Sequence, residues 1–257
     1  MCGIGNIKVW LQLMRKIAVV IPSYNNCQWY KYNLSSLSSQ EYDNFRAIYV
    51  DDCSSDGTGQ LVEKFITDNN LGGRISLICN PVGVGAMQNL YNVIHSCDDD
   101  EIIAILDGDD WFAHNGVLKR LDTVYSDPNC WMTYGQYISW PDDMSGYSRQ
   151  IPSHIIETNN FRGYEWCASH LRSFYTWLFK MIKKEDLIGP SGTFYPMACD
   201  QAMMFPMLEM AGHRAKFISD ILYIYNSANP ISDSKVNRQL QRDLEAIIRL
   251  QKRYDRL

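Results

Sequence analysis

Ile102-Ile103-Ala104-Ile105-Leu106-Asp107-Gly108-Asp109-Asp110 is the stretch on which the reading of this 257-residue chain turns. Five apolar residues run straight into three carboxylates within four positions. The apolar run predicts a buried strand that ends where the acids begin. Like charges that close repel each other and resist burial, so the cluster needs a counter-charge. A hard divalent cation, Mn²⁺ or Mg²⁺, meets that need, because it takes a few carboxylates together with substrate phosphate oxygens. A solvated acidic turn is the plainer alternative.

The chain upstream repeats the theme. Ile17 to Ile21 is a β-branched run closed by Pro22, and Ser23-Tyr24-Asn25-Asn26 turns it into a helix through about Ser39. Phe45 to Val50 predicts a second strand ending at Asp51-Asp52. Cys53 to Thr58 offers helix caps, a helix follows to Asn69, and Leu71-Gly72-Gly73 stops it. Asp56 belongs to that turn. Ile75 to Cys79 is a third strand, and Asn80 to Gly85 leads into a helix from about Ala86 to His95. Alternating strands and helices predict an α/β fold with one mostly parallel central sheet flanked by helices. Ligands bind such sheets at the carboxyl ends of the strands. Pro22 to Asn26, Asp51-Asp52 and Asp107 to Asp110 therefore fall on one edge.

Composition narrows the classes. At 46% hydrophobic the chain can bury one large core. A net charge of −5 offers no basic field for nucleic acid. The eight cysteines contain no C-x-x-C pair, which disfavours zinc and suits reduced cytoplasmic thiols. No apolar run reaches the ~18 residues of a spanning helix. Residues 1–15 read as an N-terminal extension, since they lack the basic leader and apolar core of a signal peptide. Beyond Trp111 aromatics become dense, among them Tyr137, Tyr147 and Trp166, and this half is expected to wall a substrate cleft.

Val19 to Asn25, Val50 to Thr58, Asn80 with Gly83 and Asn89, and Asp107 to Asp110 occur in an order that resembles the family 2 glycosyltransferases of GT-A fold. The resemblance spans about Lys16 to Asn229. It implies a domain over 16–234, with a nucleotide-binding half at 16–112 and an acceptor-binding half at 113–234. Pro22 and Tyr24 would line the nucleobase pocket, and Asp52 would accept from a uracil imide with Asp51 beside it. Asp107 would face the ribose or the metal shell, with Gly108 beside it on the nucleotide, and Asp109 and Asp110 would hold the divalent ion. Gly83 and Asn89 belong to the third motif; Gly83 and Gly85 weakly resemble a phosphate-cradling loop, and a tight strand-to-helix turn explains them as well. Asp200, opening the apolar run Ala202 to Ala211, matches the family's general base; a plain helix cap is its other reading.

The chain departs from the family pattern at two places. Gln88 stands where many members carry Arg, and Tyr223-Ile224-Tyr225-Asn226 lacks the customary His, leaving Asn226 or Asn229 to serve. His170 and Arg172 are candidate acceptor or phosphate contacts. The implied reaction is inverting sugar transfer, non-processive, from a nucleotide-sugar donor of UDP type. Its acceptor would be a carbohydrate, a lipid-linked saccharide or a protein. A sugar nucleotidyltransferase would want a Gly-rich basic loop after the first strand, which Pro22 to Asn25 lacks, and a non-catalytic binding module would have no need of four intact acids. Lys235 to Leu257, with seven basic and three acidic residues, predicts an amphipathic C-terminal helix. Packing on its own domain, a homodimer contact and peripheral membrane contact are its three uses.

Overall fold

The computed structural model describes residues 14–257, so the expected extension over 1–15 lies almost wholly outside the described residues. Strands β1 (Ile17–Ser23), β2 (Phe45–Asp51), β3 (Ile75–Cys79) and β4 (Ile102–Ile105) alternate with helices α1 (Tyr30–Ser38), α2 (Thr58–Asp68) and α3 (Ala86–Ser96). The second half continues through β5 (Trp111–Phe112), α4 (Val117–Val124), β6 (Met132–Trp140) and α5 (Ser153–Glu157). It then runs through β7 (Arg172–Tyr175), α6 (Thr176–Lys180), α7 (Cys199–Ala211) and β8 (Ala215–Asn226), and closes with α8 (Asp233–Val236) and α9 (Arg238–Leu250).

One eight-stranded sheet runs in the order β3-β2-β1-β4-β7-β6-β8-β5. Four of its seven pairings are parallel. The antiparallel ones involve β7 and the short β5. The mostly parallel α/β architecture expected from the sequence is therefore present. Alternate residues of each inner strand serve opposite cores. Ala18, Val20, Ile103 and Ile105 pack with Leu90, Leu178 and Met204 on one face. Ile17, Val19, Ile102 and Ala104 pack with Leu34, Val62 and Leu121 on the other. Both faces being covered is why these strands read as unbroken apolar runs.

The expected C-terminal helix is corrected in length. Asn237 caps α9 by accepting from the Leu240 N–H, but the helix stops at Leu250. The remaining chain to Leu257 runs extended along α7, because its N–H groups find partners there. Tyr254 N donates to Glu209 Oε2 at 3.0 Å and Leu257 N to the Met210 carbonyl at 3.1 Å. Leu244 and Ile248 are buried against the domain, whereas Leu240, Ile247 and Val236 remain exposed. Beneath α9, Arg162 meets Glu209 at 2.6 Å with both side chains almost wholly buried. Among the described residues no helix is long and apolar enough to cross a membrane, and no two cysteines form a disulfide.

Candidate active site

Parallel pairing sets Ser23 level with Asp51 and Val20 level with Ile105, so β1, β2 and β4 end on one edge. Backbone bonds continue past the strands: Asp52 N donates to the Ser23 carbonyl at 2.8 Å and Gly108 N to the Pro22 carbonyl at 3.0 Å. A cavity of about 600 Å³ opens there, within the usual range for small-molecule sites. Pro22, Tyr24, Asp52 and Asn89 line one side of it, and Asp107, Asp109 and Asp110 the floor. His170, Arg172 and Asp200 line the other side, contributed by the second half of the chain. Asp52, Asp109 and Asp200 thus share one cavity. Tyr24 sits at the rim, 53% exposed.

Gly108 is required by close approach. A Cβ there would lie 2.6 Å from Ser23 Cβ and 2.8 Å from Asn26 Nδ2. Asn33 of α1 donates to the carbonyls of Asp107 and Asp110 at 3.0 and 2.8 Å, fixing the acidic turn from below.

Asp52 is gripped by the third-motif loop. Its carboxylate accepts from Asn80 Nδ2 at 2.7 Å, Val84 N at 3.0 Å and Gly85 N at 2.8 Å. Burial pushes its pKa upward, but these donors outweigh burial and hold it below the ordinary value. The loop therefore wraps a carboxylate rather than a phosphate. Gly83 does not line the cavity, and Gly85 takes a φ of 86° at the entry to α3. Asp51 points away from the cavity: it accepts from the Ser54 hydroxyl and lies 2.8 Å from where a Cβ on Gly59 of α2 would be. Asp56 is a turn residue, accepting from Thr58 N and Cys27 N, both at 3.0 Å.

The three acids of the floor differ sharply. Asp110 is 1% exposed; Tyr223 Oη donates to its Oδ2 at 2.8 Å and Asn226 N to its Oδ1 at 2.7 Å. Burial, then the charges of Asp109 and Asp107, lift its pKa well above the ordinary value. Asp109 accepts from Asn229 Nδ2 at 2.7 Å, and burial lifts it to about 6 despite that bond. Asp107 Oδ2 accepts from Arg172 Nη2 at 3.1 Å. Its side chain is 32% exposed and lines the cavity, and burial raises its pKa with the Arg172 charge opposing.

Ligand atoms of Asp107, Asp110 and His170 come within 4.8 Å of one another. Arg172 already supplies the positive charge there, because its Nη2 also lies 3.0 Å from His170 Nδ1. A guanidinium only donates, so Nδ1 is the acceptor and the ring proton is on Nε2. Burial and Arg172 lower the His170 pKa well below its usual value. His170 stacks on Tyr223 at 4.5 Å. Asp109 and Asp110, the expected metal residues, line the cavity together with Asp107, although both oxygens of Asp110 also accept hydrogen bonds from β8. Asn226 is internal: it is fully buried and its amide donates to the Asp109 carbonyl at 3.1 Å. Asn229, not Asn226, reaches the cavity.

Asp200 sits in the first turn of α7, whose cap position is Ala198 at φ 58° with no side-chain cap bond. The carboxylate is thus not the cap; it faces the cavity, where Trp166 Nε1 donates to Oδ2 at 3.1 Å. Tyr223 and Trp166 carry roles that sequence reading missed. Both were visible only as aromatics in a dense aromatic half, and nothing local marks which of them meets an acid.

The arrangement is that of an acid-lined cavity at the strand ends of a GT-A fold. The model of "Glycosyl transferase family 2" matches residues 18–190, and the chain belongs to that family. Glycosyltransferase GlyG of Streptococcus pneumoniae is 26% identical over 220 residues, covering 81% of this chain and 70% of that protein. The poly(ribitol-phosphate) β-N-acetylglucosaminyltransferase TarS of Staphylococcus aureus is 35% identical over 101 residues, 38% of this chain but only 17% of TarS. A crystal structure of TarS residues 1–349 with UDP-GlcNAc superposes with a TM-score of 0.64 at 19% identity, covering 91% of this chain and 65% of that one. The mannosyltransferase PcManGT of Pyrobaculum calidifontis, solved with GDP-Man and Mn²⁺, gives 0.59 at 17% identity, covering 86% and 59%.

Proposed function

We propose that this chain is an inverting glycosyltransferase that moves a sugar from a UDP-sugar to an acceptor hydroxyl, with Asp200 as general base. The observation that carries the reading is the meeting of Asp52, Asp109 and Asp200 in one cavity from three separate parts of the chain. The TarS complex with UDP-GlcNAc supports a uridine donor, and the GDP-Man and Mn²⁺ complex of PcManGT supports a divalent ion.

Asp52, held ionised by its loop, accepts the imide proton of the base, and Tyr24 offers its exposed ring to the base face. Asp109 and Asp110, with Asp107 beside them, would hold the Mn²⁺ or Mg²⁺. When bound, that ion neutralises charge growing on the leaving diphosphate. Asp200, in the same cavity, takes the acceptor hydroxyl proton as its oxygen attacks the anomeric carbon. Attack from the face opposite the diphosphate inverts the configuration. Positioned base catalysis contributes ~100- to 10,000-fold. Asp200→Asn should lose turnover by that factor while binding UDP as wild type does. Retained turnover in Asp200→Asn would refute the assignment.

A further inference from the structure

Asp200 is not held by its own helix. Trp166 Nε1–H donates to Oδ2 at 3.1 Å, and Arg172 Nη1 lies 3.8 Å from the same oxygen. Trp166 is itself fixed, because its ring packs edge-on against Phe205 at 5.1 Å, further along the helix that carries Asp200. Arg172 is committed elsewhere, to Asp107 and His170 at 3.1 and 3.0 Å. The strong bond on Oδ2 therefore comes from a neutral donor.

We infer that Trp166 is the positioning residue of the general base: its indole N–H ties down Oδ2 and so assigns the acceptor proton to Oδ1. Arg172 joins the same oxygen to Asp107, which keeps the base at a fixed station relative to the diphosphate end of the cavity. The inference rests on Asp200 being the base. It adds that one indole hydrogen sets the base's orientation, and that the ring's packing is separable from that hydrogen.

Trp166→Phe keeps a smaller ring against Phe205 and removes the donor. Turnover is read as UDP released from UDP-glucose, UDP-galactose and UDP-N-acetylglucosamine without acceptor, using whichever is hydrolysed fastest. The expected result is a kcat roughly 10- to 100-fold lower, the usual effect of losing one hydrogen bond to a charged group, with donor KM and the Kd for UDP unchanged. In the Asp200→Asn background the same change should cost nothing further, since the carboxylate is already gone. Wild-type kcat in Trp166→Phe, or equal losses in kcat and UDP affinity, would overturn the inference. Full turnover in Asp200→Asn would instead overturn the base assignment, so the two failures are distinguishable. A second measurement needs neither turnover nor a folded Trp166 variant. In ¹⁵N-tryptophan-labelled protein, Asp200→Asn should move one indole N–H resonance, and a spectrum in which none moves overturns the contact.

Discussion

Gly108→Ala tests whether the acidic turn is built by close approach of β4 to β1. The added Cβ would meet Ser23 Cβ at 2.6 Å, Ser23 Oγ at 2.7 Å and Asn26 Nδ2 at 2.8 Å. Ser23 cannot rotate away freely, because its hydroxyl is shared with Tyr49 Oη at 2.8 Å and Asn26 Nδ2 at 2.9 Å. Its Cβ is fixed by the strand in any rotamer. The turn must therefore shift, and overpacking of this kind costs about 1–3 kcal/mol. For a domain of this size that is a fall in Tm of roughly 2–12 °C. The shift also displaces Asp107 and Asp109, so UDP affinity measured with Mn²⁺ should fall as well. Gly73→Ala is the control: nothing lies within 4 Å of its Cβ, and removing a glycine's freedom in the unfolded chain stabilises by ~0.4–1 kcal/mol where the backbone permits. Differential scanning calorimetry of both variants, followed by UDP titration, makes the comparison. A Gly108→Ala protein with wild-type Tm and UDP affinity would refute the reasoning.

Glu209→Ala should cost about 3–5 kcal/mol in urea unfolding, because it strands the buried Arg162 guanidinium. The paired change Arg162→Met with Glu209→Leu should cost much less. Glu101 gives a pH signature: hydrogen bonding from Arg46 at 2.8 Å outweighs burial and lowers its pKa in the folded state. A lowered folded pKa means stability that is fully present above the ordinary glutamate value of ~4.3 and lost as pH falls through the folded one. The stability gap between wild type and Glu101→Gln, from urea midpoints, should therefore be widest near pH 6 and narrow toward pH 3.

The first half of the fold was legible because its signals are local. Strands β1 to β4 are short apolar runs, each closed by proline, acid or a cap, and parallel pairing puts their ends together without knowledge of any distant residue. Asp52, Asp107 and Asp109 followed from that rule. The second half turns on pairings between distant segments. β6 lies between β7 and β8, and β5 returns to pair with β8, a topology set by core burial rather than by any local pattern. Tyr223 and Asn226 reach Asp110 only because of it, which is why the two hydrogen bonds that fix this cavity-lining acid have no local signal. Gly83 read as part of a possible phosphate cradle for a related reason: the loop's N–H groups do bind an anion, but it is the side chain of Asp52.

In the proposed function, carboxylates gathered at the strand ends form a cation-assisted diphosphate site. Calorimetric titration of wild type and Asp109→Asn with UDP, in Mn²⁺ and again with excess chelator, tests it most directly. The account predicts that chelation weakens wild-type UDP binding at least about tenfold, a difference of ~1.4 kcal/mol, and that Asp109→Asn binds weakly in both conditions. Equal UDP affinity with and without the metal, in both proteins, would contradict it.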